Sequence, residues 1–500
     1  MYINQKLVIG RNKDKELCII PKMVNRHGLI TGATGSGKTT TVKVLAESFA
    51  DAGIPVFMID VKGDVSGTCK EGIEQEWIAK KVEEYNLDFN YKKYSVNFFD
   101  VFGKNGLPIR TTVEKIGSKL LGKILGLSDA QEGILAIAFQ VSKDENLKLI
   151  NLKDLKTLLS YIGENKDKYI LNYGNITTQS VAAIQRNILE LEQEGGNYFF
   201  GEPELDFYDL MQYDANGKGF INILYAQKLY KNPTLYASVL VWLLNTLYDI
   251  MPEVGDLELP KLALFLDEAH LIFSEMSSEL TKKVTQSIKL IRSKGIGVYF
   301  ISQTPSDIPD EILGQLGNKI QHVLRSYTPK DDKAIQTASD SFRQNPEFKT
   351  VDAIKSLATG EALISFININ GEPEVVQRAS ILPPQSYNGP ISDSERELII
   401  KSSRFYGKYI NEINSESAEE KITIKRAEIE EEKAAEKKAI EDEKQRIKDE
   451  KEQEKQRIKE EKEAEKRKKE QTKIVRQIGN KFVNKATTKI VNSIWKGIFK

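Results

Sequence analysis

Short apolar segments alternate with helical patterns along most of the chain. GLITG, at 28–32, is followed by a glycine-rich loop, a helical pattern and the apolar segment IPVFMID, at 54–60. Strand-like segments return later, separated by helical patterns, as GFINIL, LALFLDEAH, GVYFISQ, KIQHVLRS and EALISFIN. Strands that alternate with helices are typical of βαβ units, whose strands form a parallel sheet. We therefore predict an α/β fold with a parallel sheet.

Two stretches depart from this alternation. Between 111 and 205, apolar residues recur three and four positions apart, as in SVAAIQRNILELEQ, which predicts a helical insertion. From 415 to 470, Glu, Lys and Arg dominate, and EKQRIK occurs at 443–448 and again at 454–459. Large aliphatic residues are too sparse there for a coiled coil, whereas the Glu/Lys spacing favours a long, solvated single helix.

The pattern as a whole divides the chain into six predicted segments. They are short N-terminal strands (1–25), the first part of an α/β core (26–110), the helical insertion (111–205), the second part of the core (206–390), a linker with the charged helix (391–470) and a basic amphipathic tail (471–500).

Composition narrows the class of protein. Lys and Arg number 72, as do Asp and Glu, so the net charge gives no indication of a nucleic-acid or membrane partner. The two cysteines, Cys18 and Cys69, exclude a disulfide scaffold and a cysteine-based zinc site. The N-terminus lacks the layout of a signal peptide, and the longest apolar run, 237–251, is shorter than the roughly 20 residues that span a membrane. We therefore expect a cytoplasmic protein.

The tail at 471–500 differs from the rest of the chain. It contains seven Lys and Arg residues and no acidic residue, and its apolar residues recur every four positions from 474 to 498. A basic helix with an aliphatic face can lie on an anionic membrane, or it can dock in a groove of a protein partner. Because a four-residue spacing drifts around a helix, Gly479 or Gly497 is a candidate break. Peripheral membrane attachment and a protein partner both stay open.

The glycine-rich loop has the pattern of a phosphate-binding loop. Residues 32–39 read GATGSGKT and fit G-x-x-x-x-G-K-[ST], with a strand before and a helix after. Glycines let backbone N–H groups converge on phosphate oxygens, and the positive end of the following helix dipole points at them. Lys38 is expected to neutralise the β- and γ-phosphates, and the Thr39 hydroxyl to ligate Mg²⁺. The predicted nucleotide-binding residues are Gly32, Ala33, Thr34, Gly35, Ser36, Gly37, Lys38, Thr39 and Thr40.

A second group of candidate residues ends the apolar segment LALFLDEAH. Asp267 is predicted to hold the water shell of Mg²⁺, and Glu268 to polarise the water that attacks the γ-phosphate. The alternative is that the two acids only cap the next helix. The letters Asp-Glu-Ala-His also occur in one helicase superfamily, but the downstream motifs of that superfamily are missing from this sequence. We therefore interpret His270 as a structural residue.

Other polar residues follow predicted strands or helices. Ligands of open α/β sheets bind at the carboxyl ends of the strands, so Gln303, after GVYFIS, is a candidate sensor of hydrolysis near the γ-phosphate. Asp60 and the loop 62–64 lie at the same edge, and this loop either contacts nucleotide, a neighbour or substrate, or is a solvated turn. Arg325 is expected to contact nucleotide in its own subunit. Arg292, at the opposite edge, is expected to reach the nucleotide of a neighbour in a ring. The alternative for each arginine is a surface salt-bridge residue.

Several long phrases are similar to one known family. A resemblance to the HerA-like ATPases of the FtsK–HerA superfamily, and to their YjgR-type subgroup, rests on the phrases NRHGLITGATGSGKT, VFMIDVKGDVSG, FLDEAHLIF and LIRSKGIGVYFISQTPSDIPDEILGQLGNKIQHVLRSYTPKD. It covers about residues 1 to 390. The resemblance implies a RecA-like P-loop NTPase core, a homo-hexamer that uses ATP and Mg²⁺, and motor relatives that move DNA through a central pore. The segment before the loop is short, so we expect the β-barrel domain of archaeal relatives to be reduced or absent.

This resemblance leads to two hypotheses about function. The first is an ATP-hydrolysing ring motor that works as a DNA translocase or helicase. The second is an oligomeric ATPase scaffold, which uses its nucleotide state to control a partner or a membrane-associated assembly without moving DNA. Stimulation of ATP hydrolysis by DNA would discriminate between them.

Overall fold

The structure is a computed structural model that describes residues 1–13, 15–274 and 278–495. Residues Met1–Ile422 form one compact unit, and the C-terminal segment Thr423–Lys500 forms a second. The described residues contain thirteen strands, which are β1 (Tyr2–Ile3), β2 (Lys6–Arg11), β3 (Glu16–Ile19), β4 (Gly28–Thr31), β5 (Val56–Asp60), β6 (Val96–Asp100), β7 (Leu107–Pro108), β8 (Ile221–Tyr225), β9 (Leu262–Leu266), β10 (Ile296–Ser302), β11 (Asn318–Gln321), β12 (Glu361–Ser365) and β13 (Gln377–Ile381).

The helices of the same residues are α1 (Lys38–Asp51), α2 (Glu76–Glu84), α3 (Val113–Ile124), α4 (Asp129–Asp144), α5 (Leu152–Glu164), α6 (Lys166–Tyr173), α7 (Thr178–Gln193), α8 (Gly196–Phe199), α9 (Pro233–Ile250), α10 (Ala269–Ser274), α11 (Ser278–Ile291), α12 (Asp310–Leu313), α13 (Pro329–Asp340), α14 (Thr350–Ser356), α15 (Asp393–Ser402), α16 (Tyr406–Tyr409) and α17 (Ala418–Trp495).

All the strands belong to one sheet with a parallel centre. Its order is β1-β2-β13-β12-β11-β4-β10-β9-β5-β8-β6-β7, and β3 pairs with β2. The strands from β11 to β7 pair in parallel with one another. Every residue of β4, β5, β9 and β10 is buried, as is typical of parallel strands covered on both faces. The predicted α/β fold with a parallel sheet is confirmed.

The N-terminal strands extend this sheet on one side. β2 pairs antiparallel with β13, so that Gly10 lies opposite Ile381, and antiparallel pairing continues through β12 to β11. The strands approach closely at Gly10, where a Cβ atom would lie 2.9 Å from Cδ1 of Ile364. The segment predicted as short strands, 1–25, is therefore joined to the core by backbone hydrogen bonds.

Helices α3 to α8 lie between β7 and β8, in the range where we predicted a helical insertion. Their starts are encoded locally, because Ser128 and Asn151 form capping boxes at the first turns of α4 and α5. Their apolar faces pack on one another, and Leu135, Leu155 and Ile188 are fully buried. The charged and polar residues of the amphipathic pattern lie on the other faces.

The compact unit continues past 390, where we predicted that the folded core ends. Ile400, Tyr409 and Ile422 are buried, and α15 packs against β6. The sequence pattern does not reveal this, because the apolar residues occur there in short runs, such as LII at 398–400, between polar and charged residues. The core therefore ends near the start of α17 rather than near 390.

The chain just before α15 is attached to α1 by two buried charged residues. The Glu47 carboxylate accepts hydrogen bonds from the N–H of Gln385 at 2.7 Å and from the Ser386 hydroxyl at 2.5 Å. The Lys43 ammonium donates to the Tyr387 carbonyl oxygen. Both side chains belong to the helix that follows the phosphate-binding loop, so that helix is bonded directly to the C-terminal part of the core.

Helix α17 has 78 residues, which corresponds to a length of about 117 Å. Its first turn is attached to the helical insertion, since Ala418 N–H donates to the Lys148 carbonyl at 2.9 Å and Lys153 forms an ion pair with Glu419 at 2.6 Å. The helix passes through Gly479 without the break that we considered there, and Gly497 lies outside the described residues. Of the helices described, none has the length and apolar content needed to cross a membrane.

Candidate active site

The phosphate-binding loop lies at the carboxyl edge of the sheet, between β4 and α1. Gly32 N–H donates to the Gln303 carbonyl at 3.1 Å, and Ala33 N–H donates to the Val323 carbonyl at 2.9 Å. These acceptors follow β10 and β11, the two strands that pair with β4. The loop is therefore held by the ends of both neighbouring strands.

The three glycines of the loop have conformations that other residues adopt with strain. Gly32 has a φ of 153°, Gly35 a φ of 76° and Gly37 a φ of 109°. At Gly32 a Cβ atom would also lie 2.5 Å from Cβ of His322, so the loop could not approach β11 this closely with another residue. At Gly35 no atom lies within 4 Å of that position, and Thr34 and Gly35 are exposed. The loop is thus tightly packed against His322 at Gly32 and open to solvent at Thr34 and Gly35.

Lys38 and Thr39 begin α1 and face a cleft. Nζ of Lys38 donates to the carbonyl oxygens of Gly32 at 2.5 Å and Ala33 at 3.0 Å. Burial, and then the nearby charge of Lys62, lower the pKa of Lys38. The polar residues that line this cleft are Lys38, Thr39, Asp60, Lys62, Asp64 and Asp267.

Asp267 and Glu268 follow β9, which lies between β10 and β5. Burial and the charge of Glu268 raise the pKa of Asp267 to about 6. Oδ1 of Asp267 accepts a hydrogen bond from Glu268 N–H at 2.9 Å, and the Tyr236 hydroxyl donates to the Asp267 carbonyl oxygen at 2.7 Å. Glu268 has a φ of 48°, in the left-handed region, where a residue with a long side chain is strained. Strain of this kind persists where the surrounding structure fixes the backbone, as these two hydrogen bonds do.

The Glu268 carboxylate lies between two nitrogen-bearing side chains. Nζ of Lys62 lies 3.5 Å from Oε1, and Nδ1 of His270 lies 3.3 Å from Oε2. Only 12% of the Glu268 side chain is exposed, so these two groups account for much of its polar environment. His270, which we interpreted as structural, therefore also contacts the predicted base.

The residues of this site fit a nucleotide with Mg²⁺. Ser36 Oγ and Asp60 Oδ2 are buried and have no hydrogen-bond partner among the described residues, which is typical of polar atoms that face a ligand. The Lys38 ammonium can neutralise phosphate charge. The Thr39 hydroxyl and the Asp267 carboxylate are oxygen donors of the kind that Mg²⁺ prefers, directly or through water.

The predicted sensor and the predicted cis arginine both lie near the loop. Gln303 follows β10 with its side chain exposed, and its carbonyl oxygen is the acceptor for Gly32. Arg325 is also exposed, two residues beyond Val323, whose carbonyl is the acceptor for Ala33. Both positions are at the carboxyl edge, and the roles of the two side chains stay predictions.

Arg292 lies at the opposite edge, shortly before β10. Its Nη2 is 3.4 Å from one carboxylate oxygen of Asp256, and Nη2 of Arg26 is 3.6 Å from the other. With Lys289 and Lys319, the two arginines line a cleft of about 320 Å³. The seven residues of β10 put about 20 Å of strand between this cleft and the loop. Arg292 therefore cannot contact nucleotide held by its own chain.

Two residues of the site were not found by sequence reasoning. One is Tyr236, on α9. The other is His322, which follows β11. Nδ1 of His322 donates to the Glu361 carbonyl oxygen at 2.8 Å, so Nε2 accepts from the Thr41 hydroxyl, also at 2.8 Å. Burial lowers the pKa of His322 to about 4, which keeps the ring neutral. The feature that could have identified His322 is its position at the end of a strand that lies beside the loop.

Comparison with known proteins identifies the family. The model of a family described as "Helicase HerA-like C-terminal" matches residues 5–500. The chain belongs to the HerA-like helicase family. The resemblance expected from the sequence phrases is thereby confirmed, whereas the YjgR-type subgroup stays a prediction.

Relatives within this family are distant in sequence. The DNA double-strand break repair helicase HerA of Sulfolobus acidocaldarius is 26% identical over 415 residues, which cover 78% of this chain and 70% of the relative. The protein of the same name from Sulfurisphaera tokodaii is 25% identical over 399 residues, covering 77% and 70%. Among solved structures, the plasmid coupling protein TrwB with the GTP analogue GDPNP is similar in fold alone, at 13% identity, a TM-score of 0.50, and coverage of 76% of this chain and 92% of that one.

Proposed function

We propose that this protein is an ATP-hydrolysing ring motor of the HerA type, which moves along DNA as a translocase or helicase. The observation that carries the proposal is one cleft at the carboxyl edge of the sheet, lined by Lys38, Thr39 and Asp267, with Glu268 next to Asp267. These are the groups that phosphoryl transfer to water requires. The names of the family and of its curated relatives support DNA as the polymer on which the motor acts.

Each predicted site residue has one task. The loop 32–40 binds the phosphates of ATP through backbone N–H groups, and Lys38 neutralises the β- and γ-phosphates. Thr39 and Asp267 hold Mg²⁺, which supplies further neutralisation of phosphate charge. Glu268 accepts a hydrogen bond from the attacking water and orients it towards the γ-phosphate. Gln303 senses whether that phosphate is present.

Assembly into a ring, a homo-hexamer by analogy with the family, completes the site. Arg292 lies at the opposite edge from the loop. It forms an ion pair with Asp256 and also lines the cleft that contains Arg26. A planar guanidinium suits a terminal phosphate that a neighbouring subunit holds. Arg325, at the carboxyl edge, acts on nucleotide in its own subunit. The ATPase scaffold that does not move DNA is not favoured, because the matching family and the relatives are named as helicases.

We also propose that the C-terminal tail attaches this cytoplasmic motor to an anionic surface. Ile478, Phe482 and Val483 are exposed on α17, and residues 471–500 carry seven basic side chains and no acidic one. An exposed apolar stripe with basic flanks favours the interface of an anionic membrane. A groove on a protein partner is the alternative.

The motor is tested by measuring ATP hydrolysis with and without duplex DNA across a series of salt concentrations. Hydrolysis should rise on addition of DNA at low salt, and the rise should diminish with salt because contacts to phosphates release counterions. A rate of ATP hydrolysis that DNA does not change at any salt concentration would favour the scaffold instead.

The same assay, applied to variants, tests which residues bind and hydrolyse ATP. Lys38→Ala should lose nucleotide binding. Glu268→Gln should bind ATP and hydrolyse it on the order of 100-fold more slowly or worse, since it cannot accept the proton. Glu253→Gln removes an exposed carboxylate elsewhere and should match the wild type. Turnover near the wild-type rate in Glu268→Gln would contradict the assignment of Glu268.

A further inference from the structure

Lys62 is held at the active site by the turn that follows β5. Gly63 N–H donates to Asp60 Oδ1 at 2.6 Å, and Gln227 Nε2 donates to the Lys62 carbonyl oxygen at 2.6 Å. The Ser66 hydroxyl donates to the Gly63 carbonyl at 2.8 Å. The sequence left open whether the loop 62–64 is a solvated turn. These bonds fix its backbone, so the Lys62 side chain starts from a defined position.

The Lys62 ammonium lies among the groups assigned to ATP hydrolysis. Because β5 and β9 are parallel neighbours, the residues that follow them meet at one edge, and Nζ of Lys62 lies 3.5 Å from Oε1 of Glu268. Lys62 lines the same cleft as Lys38 and Thr39. Partial burial lowers its pKa, but the charges of Asp267 and Glu268 outweigh this effect and raise it overall, so Lys62 is a cation.

Two cations therefore share this cleft. Both side chains line the same cleft, and the charge of Lys62 contributes, after burial, to the lowered pKa of Lys38. Like charges in one cleft repel each other, which favours an anion that both can bind. Lys38 is the lysine that binds the β- and γ-phosphates in a loop of this pattern, so the anion between them is the end of the phosphate chain.

We propose that Lys62 binds the terminal phosphate of ATP within its own subunit, and that it leaves Glu268 to do so. The inference rests on the proposed ATPase function and adds a residue to it. The ion pair at 3.5 Å is longer than the 2.7–2.9 Å of a charge-assisted hydrogen bond. A γ-phosphate carries more charge than a carboxylate and has several acceptor oxygens, so it is the stronger partner.

Because Lys62 exchanges Glu268 for the γ-phosphate, the bound nucleotide changes the surroundings of the base, Glu268. While Lys62 lies 3.5 Å from Glu268, its ammonium competes with water for the carboxylate oxygen Oε1. When the γ-phosphate binds Lys62, that competition ends at the moment when there is a phosphate to attack. ADP has no γ-phosphate, so in its presence Lys62 stays with Glu268. Lys62 therefore discriminates between ATP and ADP.

A double-mutant cycle on nucleotide binding tests this. Dissociation constants of a non-hydrolysable ATP analogue and of ADP, each with Mg²⁺, are measured by calorimetry for the wild type, Lys62→Ala, Glu268→Gln and the double variant. Lys62→Ala should weaken binding of the ATP analogue roughly tenfold or more, the usual effect of losing one hydrogen bond to a charged group, and ADP binding by less than about twofold. Glu268→Gln removes the competing carboxylate, so it should tighten binding of the ATP analogue when Lys62 is present and have no such effect in Lys62→Ala.

Two control variants complete the experiment. Lys62→Arg keeps the cation and should restore most of the preference for the ATP analogue over ADP. Lys104→Ala removes an exposed lysine from another loop at the carboxyl edge and should leave both affinities unchanged. The proposal is overturned if Lys62→Ala weakens ATP analogue and ADP equally, if it changes neither, or if Glu268→Gln has the same effect in both backgrounds. Because DNA and hydrolysis are absent from this measurement, a motor that proves insensitive to DNA would overturn the proposed function and leave the result on Lys62 standing.

Discussion

Replacing Asp60 by Asn should stabilise the protein at alkaline pH, and the gain should shrink as the pH falls. The Asp60 carboxyl is buried at the end of β5, where one oxygen accepts from Gly63 N–H and the other has no partner among the described residues. Burial raises its pKa from 3.8 to about 7, and the charge of Asp64 adds to the rise. Gly63 N–H and the charge of Arg396 only partly oppose it. The folded protein therefore holds a proton that the unfolded chain releases.

The magnitude follows from the two pKa values. Between pH 3.8 and about 7 the folded state binds more protons than the unfolded state, so the free energy of unfolding falls as the pH rises. Within this range, each increase of one pH unit lowers the free energy of unfolding by about 1.4 kcal/mol. The carboxylate thus costs about 4 kcal/mol at pH 8 and about 1.5 kcal/mol at pH 5. Burying the amide of Asn has a cost of its own, but that cost does not depend on pH. The gain should therefore be about 2.5 kcal/mol larger at pH 8 than at pH 5.

Thermal unfolding of wild type and Asp60→Asn at pH 5 and pH 8 measures this difference. A unit the size of Met1–Ile422 has an unfolding entropy of roughly 0.9 kcal/mol per degree, so the shift in Tm should be about 3 °C larger at pH 8. Asp88→Asn, at an exposed position, serves as the control and should show the same small shift at both values. A shift that is equal at pH 5 and pH 8 would refute the assignment of a raised pKa to Asp60.

Two further predictions concern assembly and the tail. If Arg292 completes the site of a neighbour, ATP hydrolysis per subunit should rise with protein concentration, and Arg292→Ala subunits should inhibit wild-type subunits when the two are mixed. Full activity in a dilute sample that is demonstrably monomeric would rule out catalysis in trans. The full chain should float with anionic liposomes, whereas a chain ending at Glu470 should not, with its ATP hydrolysis retained. Flotation of both chains, or of neither, would leave the tail as an element of assembly.

The parts of the site that the sequence predicts are those encoded by consecutive residues. The loop 32–39 is fixed by its own glycines and by the strand and helix on either side, and Asp267 with Glu268 directly follows a recognisable apolar strand. The ion pair between Lys62 and Glu268 depends instead on which strands are neighbours, since β5 and β9 are far apart along the chain. Tyr236 is a similar case, because a helix residue reaches the site only through tertiary packing.

The limits of fold prediction have the same physical origin. The α/β class follows from alternating local patterns, and the structure confirms it. That β2 pairs with β13 could not be predicted, because pairing between distant strands leaves no periodic signal in either. The residues after 390 are predicted to be a linker because their apolar residues occur only in short runs, such as LII at 398–400, yet Ile400 and Tyr409 are buried in the core. Short apolar runs of this kind contribute buried surface without producing a periodic pattern.

The exposure of α17 has a consequence for how unfolding is observed. Residues 430–487 are helical and exposed throughout, so water reaches the helix surface along this whole segment. Its backbone amides open by local helix–coil fluctuation, whereas amides in β4 or β9 open only when the sheet does. In deuterium exchange, this segment should therefore lose its protons far sooner than the sheet, although both count as ordered secondary structure. A melting curve followed by helical circular dichroism will contain a gradual component from this segment beneath the cooperative transition of the core.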